Sequence, residues 1–168
     1  MIDPLTLVLS TALAGLALWC AWTDLSRRLI PNAAAVALAA LYVASIVLGH
    51  LPGPWWLGLS VGGGLFAAGL VGFALGIVGG GDVKLAGALG LWAGSSDVAG
   101  FVLVTTLVGA ALSLLIVATR FVPTIHRLSG PLHAGPQTDG HEIPRESVPY
   151  GVALAAGGLW IAYGLIAT

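Results

Sequence analysis

Long runs of apolar residues constrain this chain more than any other feature of its sequence. Five runs are long enough, at roughly 20 helical residues per crossing, to span a hydrocarbon core of about 30 Å; they cover residues 5–22, 33–49, 55–78, 98–119 and 148–167. A sixth run, 83–93, would cover only about half of the bilayer at about 1.5 Å of rise per residue. Because 58% of the residues are hydrophobic and only 8% are charged, a soluble domain is excluded. We predict an all-α membrane protein, a polytopic bundle of six transmembrane segments with a short fourth.

The start of the first segment favours a retained helix over a cleaved signal peptide. No basic residue precedes the segment and no small-x-small cleavage site follows it. Asp3 and Pro4 have the residue types of a helix start, with Asp as the N-cap and Pro at the first helical position.

The basic residues fall on one side of a six-segment topology. With the N-terminus outside, Arg27, Arg28, Lys84 and the arginines at 120, 127 and 145 lie on one side, whereas the loops at 50–54 and 94–97 contain neither Lys nor Arg. The positive-inside rule assigns the basic side to the cytoplasm. We therefore expect a multi-pass protein of the cytoplasmic (inner) membrane, in contact with membrane lipids and with no nucleic-acid partner.

The sequence predicts one domain, residues 1–168, with short connections between its segments. The exception is a loop at 120–149, whose Gly, Pro and polar residues predict mobility. His126, His133 and His141 lie there, but their spacing fits no compact ligand motif. Cys20, as the only cysteine, forms no internal disulfide and no cysteine-based zinc site. We expect neither a metal nor a cofactor.

Glycines recur at three- and four-residue intervals through the third and fourth segments. Such spacing lets helix backbones approach closely in a membrane. The members of this series are Gly58, Gly62, Gly69, Gly72, Gly76, Gly80, Gly87, Gly90 and Gly94. We predict that most of them serve tight helix packing.

Two acidic residues stand apart from the other five, which lie at outer helix ends or in the long loop. Asp24 follows the first segment and Asp82 closes the third, so the topology puts both near the cytoplasmic face. An acid beside hydrocarbon is costly and tends to face the bundle interior or a water-filled cavity. When two carboxylic acids share such a site, one holds a proton while the other is ionised. Aspartic proteolysis requires this arrangement.

The residues alone leave other interpretations of these acids open. Asp24 could pair with Arg27 or Arg28, or cap the second helix. Asp82 could pair with Lys84, or cap the fourth segment. Lys84 could instead reach lipid phosphates.

The three glycines at 79–81 precede Asp82 directly. Without side chains they could interrupt the helix and adopt positive φ. They would also leave room for an extended substrate backbone beside the carboxylate.

Three stretches, in this order, resemble motifs of the type IV prepilin peptidases. "DLSRRLIPN" at 24–32 resembles the motif that joins an Asp to Ile-Pro-Asn, and "GGGDVKL" at 79–85 resembles Gly-x-Gly-Asp-x-Lys. "VPYGVALAAG" at 148–157 resembles the Pro-[Tyr/Phe]-Gly-x3-Ala stretch that opens the last helix of the family. The resemblance covers nearly the whole chain. It implies a membrane aspartic endopeptidase that cleaves the leader peptide of prepilins or pilin-like proteins at the cytoplasmic face.

Carried over by position, the resemblance implies that Asp24 and Asp82 are the catalytic pair. The implied supporting residues shape the glycine loop, order the first cytoplasmic turn and open the last helix; they are Gly79, Gly81, Lys84, Pro31, Asn32, Pro149, Tyr150 and Gly151.

The longer members of the family also N-methylate the trimmed pilin, with an extra domain that carries two Cys-x-x-Cys pairs. This sequence has only Cys20 and passes directly from its first segment to Asp24. We therefore expect no N-methyltransferase domain and a short peptidase-only form, as in tight-adherence (Flp) pilus systems. An archaeal preflagellin peptidase is a close relative, so the pilus system stays open.

Two competing functions make different predictions. A presenilin-like protease shares Gly-x-Gly-Asp but has Tyr-Asp on the preceding helix and a later Pro-Ala-Leu, whereas the late motif here is Pro149-Tyr150-Gly151. A small ion- or proton-coupled transporter, or a pilus-assembly membrane subunit, would bind a cation or proton at a broken helix. It predicts acids along one path through the membrane.

Overall fold

Six helices and no strand make up the described part of the chain. The computed structural model describes residues 3–51, 53–121 and 149–167. In chain order the helices are α1 (Pro4–Arg27), α2 (Asn32–Val47), α3 (Trp55–Ala74), α4 (Gly80–Ser95), α5 (Val98–Phe121) and α6 (Tyr150–Ala167). Nearly all of the predicted loop at 120–149, with its three histidines, lies outside the described residues.

Most of the helices have the apolar composition of membrane-spanning segments. Four of them, α1, α3, α5 and α6, are long and apolar enough to cross a bilayer, and α2 is a shorter apolar helix. Large apolar side chains lie on the outside of the bundle, among them Val47 at 80% exposure and Leu114 at 70%. Such a surface suits lipid, because a soluble monomer rarely exposes large apolar patches. The predicted fold class, a multi-pass helical membrane bundle, is confirmed.

The boundary between the third and fourth segments differs from the prediction. α3 ends at Ala74, four residues before the predicted end at 78, because Gly76 adopts φ 70. The N–H groups of Gly76 and Ile77 then donate to Phe73 O and Gly72 O, both at 2.9 Å, which is the Schellman pattern that ends helices at glycine.

The fourth segment consequently begins earlier than predicted. α4 has 16 residues, or about 24 Å of helix, and replaces the shorter run at 83–93. Asp82 therefore lies in the first turn of α4 and not at the end of the third segment. The prediction of positive φ at residues 79–81 is also wrong, since the left-handed glycine of this connection is Gly76, and Gly79 is an extended N-cap with φ −70.

α1 begins as predicted and ends later. Asp3 is its N-cap and accepts a hydrogen bond from Thr6 N–H at 3.2 Å, with Pro4 at the first helical position. The helix continues past the predicted end at 22 as far as Arg27, and Arg28 then adopts φ 54. Asp24 thus belongs to the last turn of α1.

α4 lies in the middle of the bundle, where it contacts α2, α3, α5 and α6. Its side chains Leu85, Leu89 and Trp92 are at most 1% exposed. The Trp92 indole donates to Leu38 O of α2 at 3.1 Å and packs edge-on against Tyr42, with ring centroids 5.6 Å apart. A helix held from four sides gives Asp82 a fixed position.

Glycines bring α3 and α4 into backbone contact, as their spacing predicted. A Cβ added at Gly94 would lie 2.6 Å from the Cα of Gly58, and one added at Gly62 would lie 2.8 Å from Gly87 O. Gly63 and Gly64, in contrast, have no atom within 4 Å of such a Cβ. Only part of the glycine-rich stretch is therefore needed for packing.

Candidate active site

Asp24 is a buried carboxylate at the end of α1, with only 6% of its surface exposed. The first turn of α6 places the backbone N–H groups of Gly151 and Val152 beside this carboxyl, and the Arg28 guanidinium acts on it as a nearby positive charge. The Val152 N–H also donates to Pro149 O at 3.1 Å. Its Oδ2 atom is buried without a hydrogen-bond partner among the described residues. Asp24 does not cap α2, whose N-cap is Pro31.

The start of α6 is in van der Waals contact with Asp24. A Cβ added at Gly151 would lie 2.8 Å from Asp24 Oδ2 and 2.9 Å from both Cβ and Cγ of Asp24. Real Cβ atoms do not approach other heavy atoms so closely. The glycine of the third motif therefore lets the helix terminus reach the aspartate of the first motif.

Asp82 is half-buried in the first turn of α4. Its carboxylate lies beside the N–H of Gly79, which is the N-cap residue, so Asp82 acts on the start of α4 from within the first turn and is not itself the cap. This interaction satisfies one of the free N–H groups that every helix start exposes. Asp82 also interacts electrostatically with Asp24. A residue that only stabilised the start of a helix would not need a second acid nearby.

The two acids thus meet at one end of the bundle, although they are 58 positions apart in sequence. α1 ends there and α4 begins there. Each carboxyl comes from a different helix, so their proximity depends on the packing of the bundle. Two carboxyl groups in such a site can share one proton.

A cavity of about 290 Å³ lies beside Asp82. Residues of α3, α4, α5 and α6 and of the connection before α4 line it: Gly69, Ile77, Val78, Asp82, Val83, Ala86, Thr105, Tyr150 and Leu154. Most of these residues are apolar, and Asp82, Thr105 and Tyr150 contribute the polar groups. The cavity therefore offers Asp82 an apolar space that is large enough for part of a ligand.

Lys84 connects the first two motifs. Its ammonium donates to Asn32 Oδ1, at the start of α2, over 2.8 Å; among the described residues it forms no ion pair with Asp82. Gly81 packs against the same turn, since a Cβ there would lie 3.1 Å from Ile30 Cβ. Lys84 and Gly81 thus hold the start of α4 against the turn between α1 and α2.

The comparison with protein families identifies the family of the chain. A family model described as "Type IV leader peptidase family" matches residues 11–114, which is more than half of the chain. The chain belongs to the type IV leader peptidase family. The matched range contains both Asp24 and Asp82 and ends before α6. Comparison with curated proteins and with solved structures gave no significant match.

Membership of this family makes the protein a peptidase, with prepilin-like proteins as the implied substrates. Of the predicted site residues, Gly151 contacts Asp24 and Gly79 lies beside Asp82, and the two carboxyls are near enough for their charges to interact. Lys84 and Asn32 form a pair of their own beside them. Pro149 is fully buried and Tyr150 lines the cavity.

Thr105 of the peptidase is a site residue that the sequence did not reveal. Its hydroxyl is buried without a hydrogen-bond partner among the described residues, and the residue lines the cavity beside Asp82. The neighbouring Thr106 donates its hydroxyl to Val102 O of its own helix at 2.7 Å. A hydroxyl in an apolar run is the only signal in the sequence, and both threonines carry it equally.

The acids at the other end of the bundle serve helix ends and surface contacts. Asp97 accepts from Gly100 N–H at 2.9 Å and from the Trp160 indole at 3.0 Å, and these hydrogen bonds lower the pKa of the Asp97 carboxyl below its ordinary value. Asp3 pairs with His50 at 3.0 Å. Among the described residues, no group of three or more His, Cys, Asp or Glu side chains could hold a metal ion.

Proposed function

We propose that the protein is an aspartic endopeptidase in which Asp24 and Asp82 are the catalytic pair. One observation carries the proposal: two carboxyls from different helices lie close enough to interact, at one end of a membrane bundle. Family membership makes the protein a peptidase, and a peptidase needs groups that move protons. Asp24 and Asp82 are the acids that share a site with one another.

The proposed chemistry uses one proton shared by the pair. The ionised carboxylate takes a proton from water while the water oxygen attacks the scissile carbonyl carbon. The protonated carboxyl donates to the carbonyl oxygen, which gives a neutral tetrahedral diol. Collapse of the diol breaks the C–N bond, with the proton taken from water passing to the leaving amine, and restores the starting state of the pair.

The proposed substrate is the leader peptide of a prepilin or a pilin-like protein, cut at the cytoplasmic face of the membrane. The basic residues Arg27, Arg28 and Lys84 lie at the same end of the bundle as the two acids, and basic residues favour the cytoplasmic side. Gly79, Gly80 and Gly81 have close neighbours where a side chain would be, so the space for part of an extended peptide is the cavity beside Asp82. Assignment to the peptidase-only form of Flp systems stays a prediction.

The transporter hypothesis predicts acids spread along a path through the membrane. Asp24 and Asp82 lie together at one end, and Asp97 and Asp3 lie at the other, bound to Trp160 and His50. The positions of these four acids therefore favour proteolysis over transport.

The test is cleavage of a prepilin in vesicles by the wild type, Asp24→Asn and Asp82→Asn, with equal amounts of folded enzyme. Asn keeps the shape of the side chain but loses its acid-base function, so each variant should cut at least about 100-fold more slowly. Asp97→Asn is the matched control, because it makes the same change at the opposite end of the bundle, and it should cut at the wild-type rate.

Cleavage at the wild-type rate by either site variant would exclude the pair. A chelator provides a second check on mechanism. Aspartic proteolysis should be unaffected by it, whereas strong inhibition that added zinc reverses would point instead to the histidines of the long loop.

A further inference from the structure

We infer that Gly151 is a positioning residue through which the start of α6 makes Asp24 the ionised member, and therefore the general base, of the proposed catalytic pair. The inference rests on the proposed function, since it assigns separate roles to the two acids. Neither the sequence motifs nor family membership distinguishes these roles.

The first support is steric. A Cβ at Gly151 would lie within 2.9 Å of three Asp24 atoms, whereas carbon atoms in ordinary contact are about 3.5 to 4.0 Å apart. Asp24 is nearly inaccessible, so it cannot yield without disturbing its neighbours. Any side chain at position 151 must therefore separate the start of α6 from the Asp24 carboxyl.

The second support is the position of the backbone N–H groups at the start of α6, beside the Asp24 carboxyl. The N–H of Gly151 lies in the first turn of α6, where N–H groups have no acceptor within the helix. This N–H lies beside Asp24, as does that of Val152, which also donates to Pro149 O at 3.1 Å, and a helix N-terminus stabilises negative charge. The unpartnered Oδ2 of Asp24 supplies an independent acceptor at the same place.

The charges around the two acids are unequal. Asp24 faces the Arg28 guanidinium and the two N–H groups of α6, with Cys20 on its own helix and Asp82 on α4 as the other titratable neighbours. Asp82 faces the N–H of Gly79 and the carboxyl of Asp24. Burial disfavours a negative charge on both carboxyls, but more groups offset this cost at Asp24, so a single negative charge shared by the pair is better stabilised there.

These roles complete the proton balance of the proposed reaction. The Asp24 carboxylate takes the proton from the attacking water and later passes it to the leaving nitrogen. Asp82 gives its proton to the carbonyl oxygen and recovers one when the diol collapses.

The experiment measures kcat and KM of the full-length enzyme in vesicles against pH, with a prepilin as substrate. In Gly151→Ala the α6 donors move away from Asp24, so kcat should fall at least about 10-fold with little change in KM. The carboxylate then binds its proton more tightly, so the acidic limb of the profile should move to higher pH by about 0.5 unit or more.

Gly158→Ala is the matched control. Gly158 lies two turns along the same face of α6, and its Cβ would lie 3.0 Å from Leu89 and 3.1 Å from Ala17. This change tightens the same helix interfaces without touching Asp24. It should lower stability and leave both limbs of the pH profile in place.

A second pair of variants tests the assignment if Gly151→Ala folds poorly. Arg28→Gln removes the other group that stabilises the Asp24 charge and should also move the acidic limb to higher pH. Arg27→Gln makes the same change one position away on an exposed residue and should leave the limb unmoved.

Two results would overturn the assignment. If only the basic limb of the pH profile moves in these variants, Asp24 carries the proton. If the pH profile is unchanged in both Gly151→Ala and Arg28→Gln, neither position 151 nor Arg28 acts on the general base. Asp24→Asn and Asp82→Asn, measured in parallel, separate the two proposals. If both are inactive while no acidic limb moves, the catalytic pair stands and only the assignment of roles fails.

Discussion

Gly94→Ala tests a close backbone contact between α3 and α4. A Cβ at this position of α4 would lie 2.6 Å from Gly58 Cα, 2.7 Å from Leu57 O and 2.9 Å from Gly58 N. All three atoms belong to the backbone of α3, so no side chain can rotate to make space. The two helices must separate at this end.

The distances set the size of the effect. Restoring an ordinary carbon-carbon contact requires about 1 Å of separation, and a gap of that size forfeits a quarter to a half of each dispersion contact that it opens. Overpacking typically costs about 1 to 3 kcal/mol, and the better helix propensity of Ala returns up to about 1 kcal/mol. We expect a net loss of about 2 kcal/mol, equivalent to about 4 to 8 °C in Tm for a chain of this size.

The assay is thermal unfolding of the purified protein in detergent, followed by prepilin cleavage at a temperature where each variant is folded. Asp82 is 12 residues from Gly94 on the same helix, or about 18 Å, so the cleavage rate of the folded variant should match the wild type. Gly64→Ala is the control, because its Cβ meets no atom within 4 Å, and its Tm should be unchanged or higher.

Equal Tm values for Gly94→Ala and Gly64→Ala would refute the reasoning. The α3 and α4 backbones would then not approach each other as described. If fully folded Gly94→Ala cleaved prepilin more slowly than the wild type, the conclusion that the Gly94 contact is separate from the candidate active site would be wrong.

Two further measurements address the polar pairs. In a double-mutant cycle of Lys84→Met and Asn32→Ala, we expect a coupling of about 1 kcal/mol in the free energy of unfolding, because the two side chains share an exposed hydrogen bond of 2.8 Å. Additive effects of the two substitutions would contradict this pairing. Asn32→Asp should preserve the interaction with Lys84. At the other end, the lowered pKa of Asp97 stabilises the fold above about pH 4, and this contribution is lost as pH falls through the folded-state value. Below about pH 4 the Tm of the wild type should therefore fall more than that of Trp160→Phe, and parallel Tm curves would exclude a role for this hydrogen bond.

Local sequence patterns predicted the helix start at Asp3 and Pro4 but not the break between α3 and α4. The start depends on residues three positions apart, whereas the break had several candidate glycines. Gly76 adopts positive φ and Gly79 does not, because the N–H groups of Gly76 and Ile77 find acceptors in the last turn of α3. Composition alone does not show which glycine will find such partners.

The partner of Lys84 shows the same limit. The sequence left open a pairing with Asp82, two positions away, or with lipid phosphates, but the ammonium donates to Asn32, 52 positions away. The direction of a side chain follows from the packing of its helix. α4 turns Lys84 toward α2, while Asp82 faces Asp24 and the cavity.

The sequence by itself determined that this chain is a bundle of membrane helices, because hydrocarbon admits only long apolar segments that satisfy their own backbone hydrogen bonds. Through its motifs it also named Asp24, Asp82 and Gly151 as candidates. The tertiary structure alone decided that the end of α1, the start of α4 and the start of α6 meet at one point. Contacts between residues far apart in the chain depend on how whole helices pack, and so does the unequal stabilisation of charge that distinguishes the two acids.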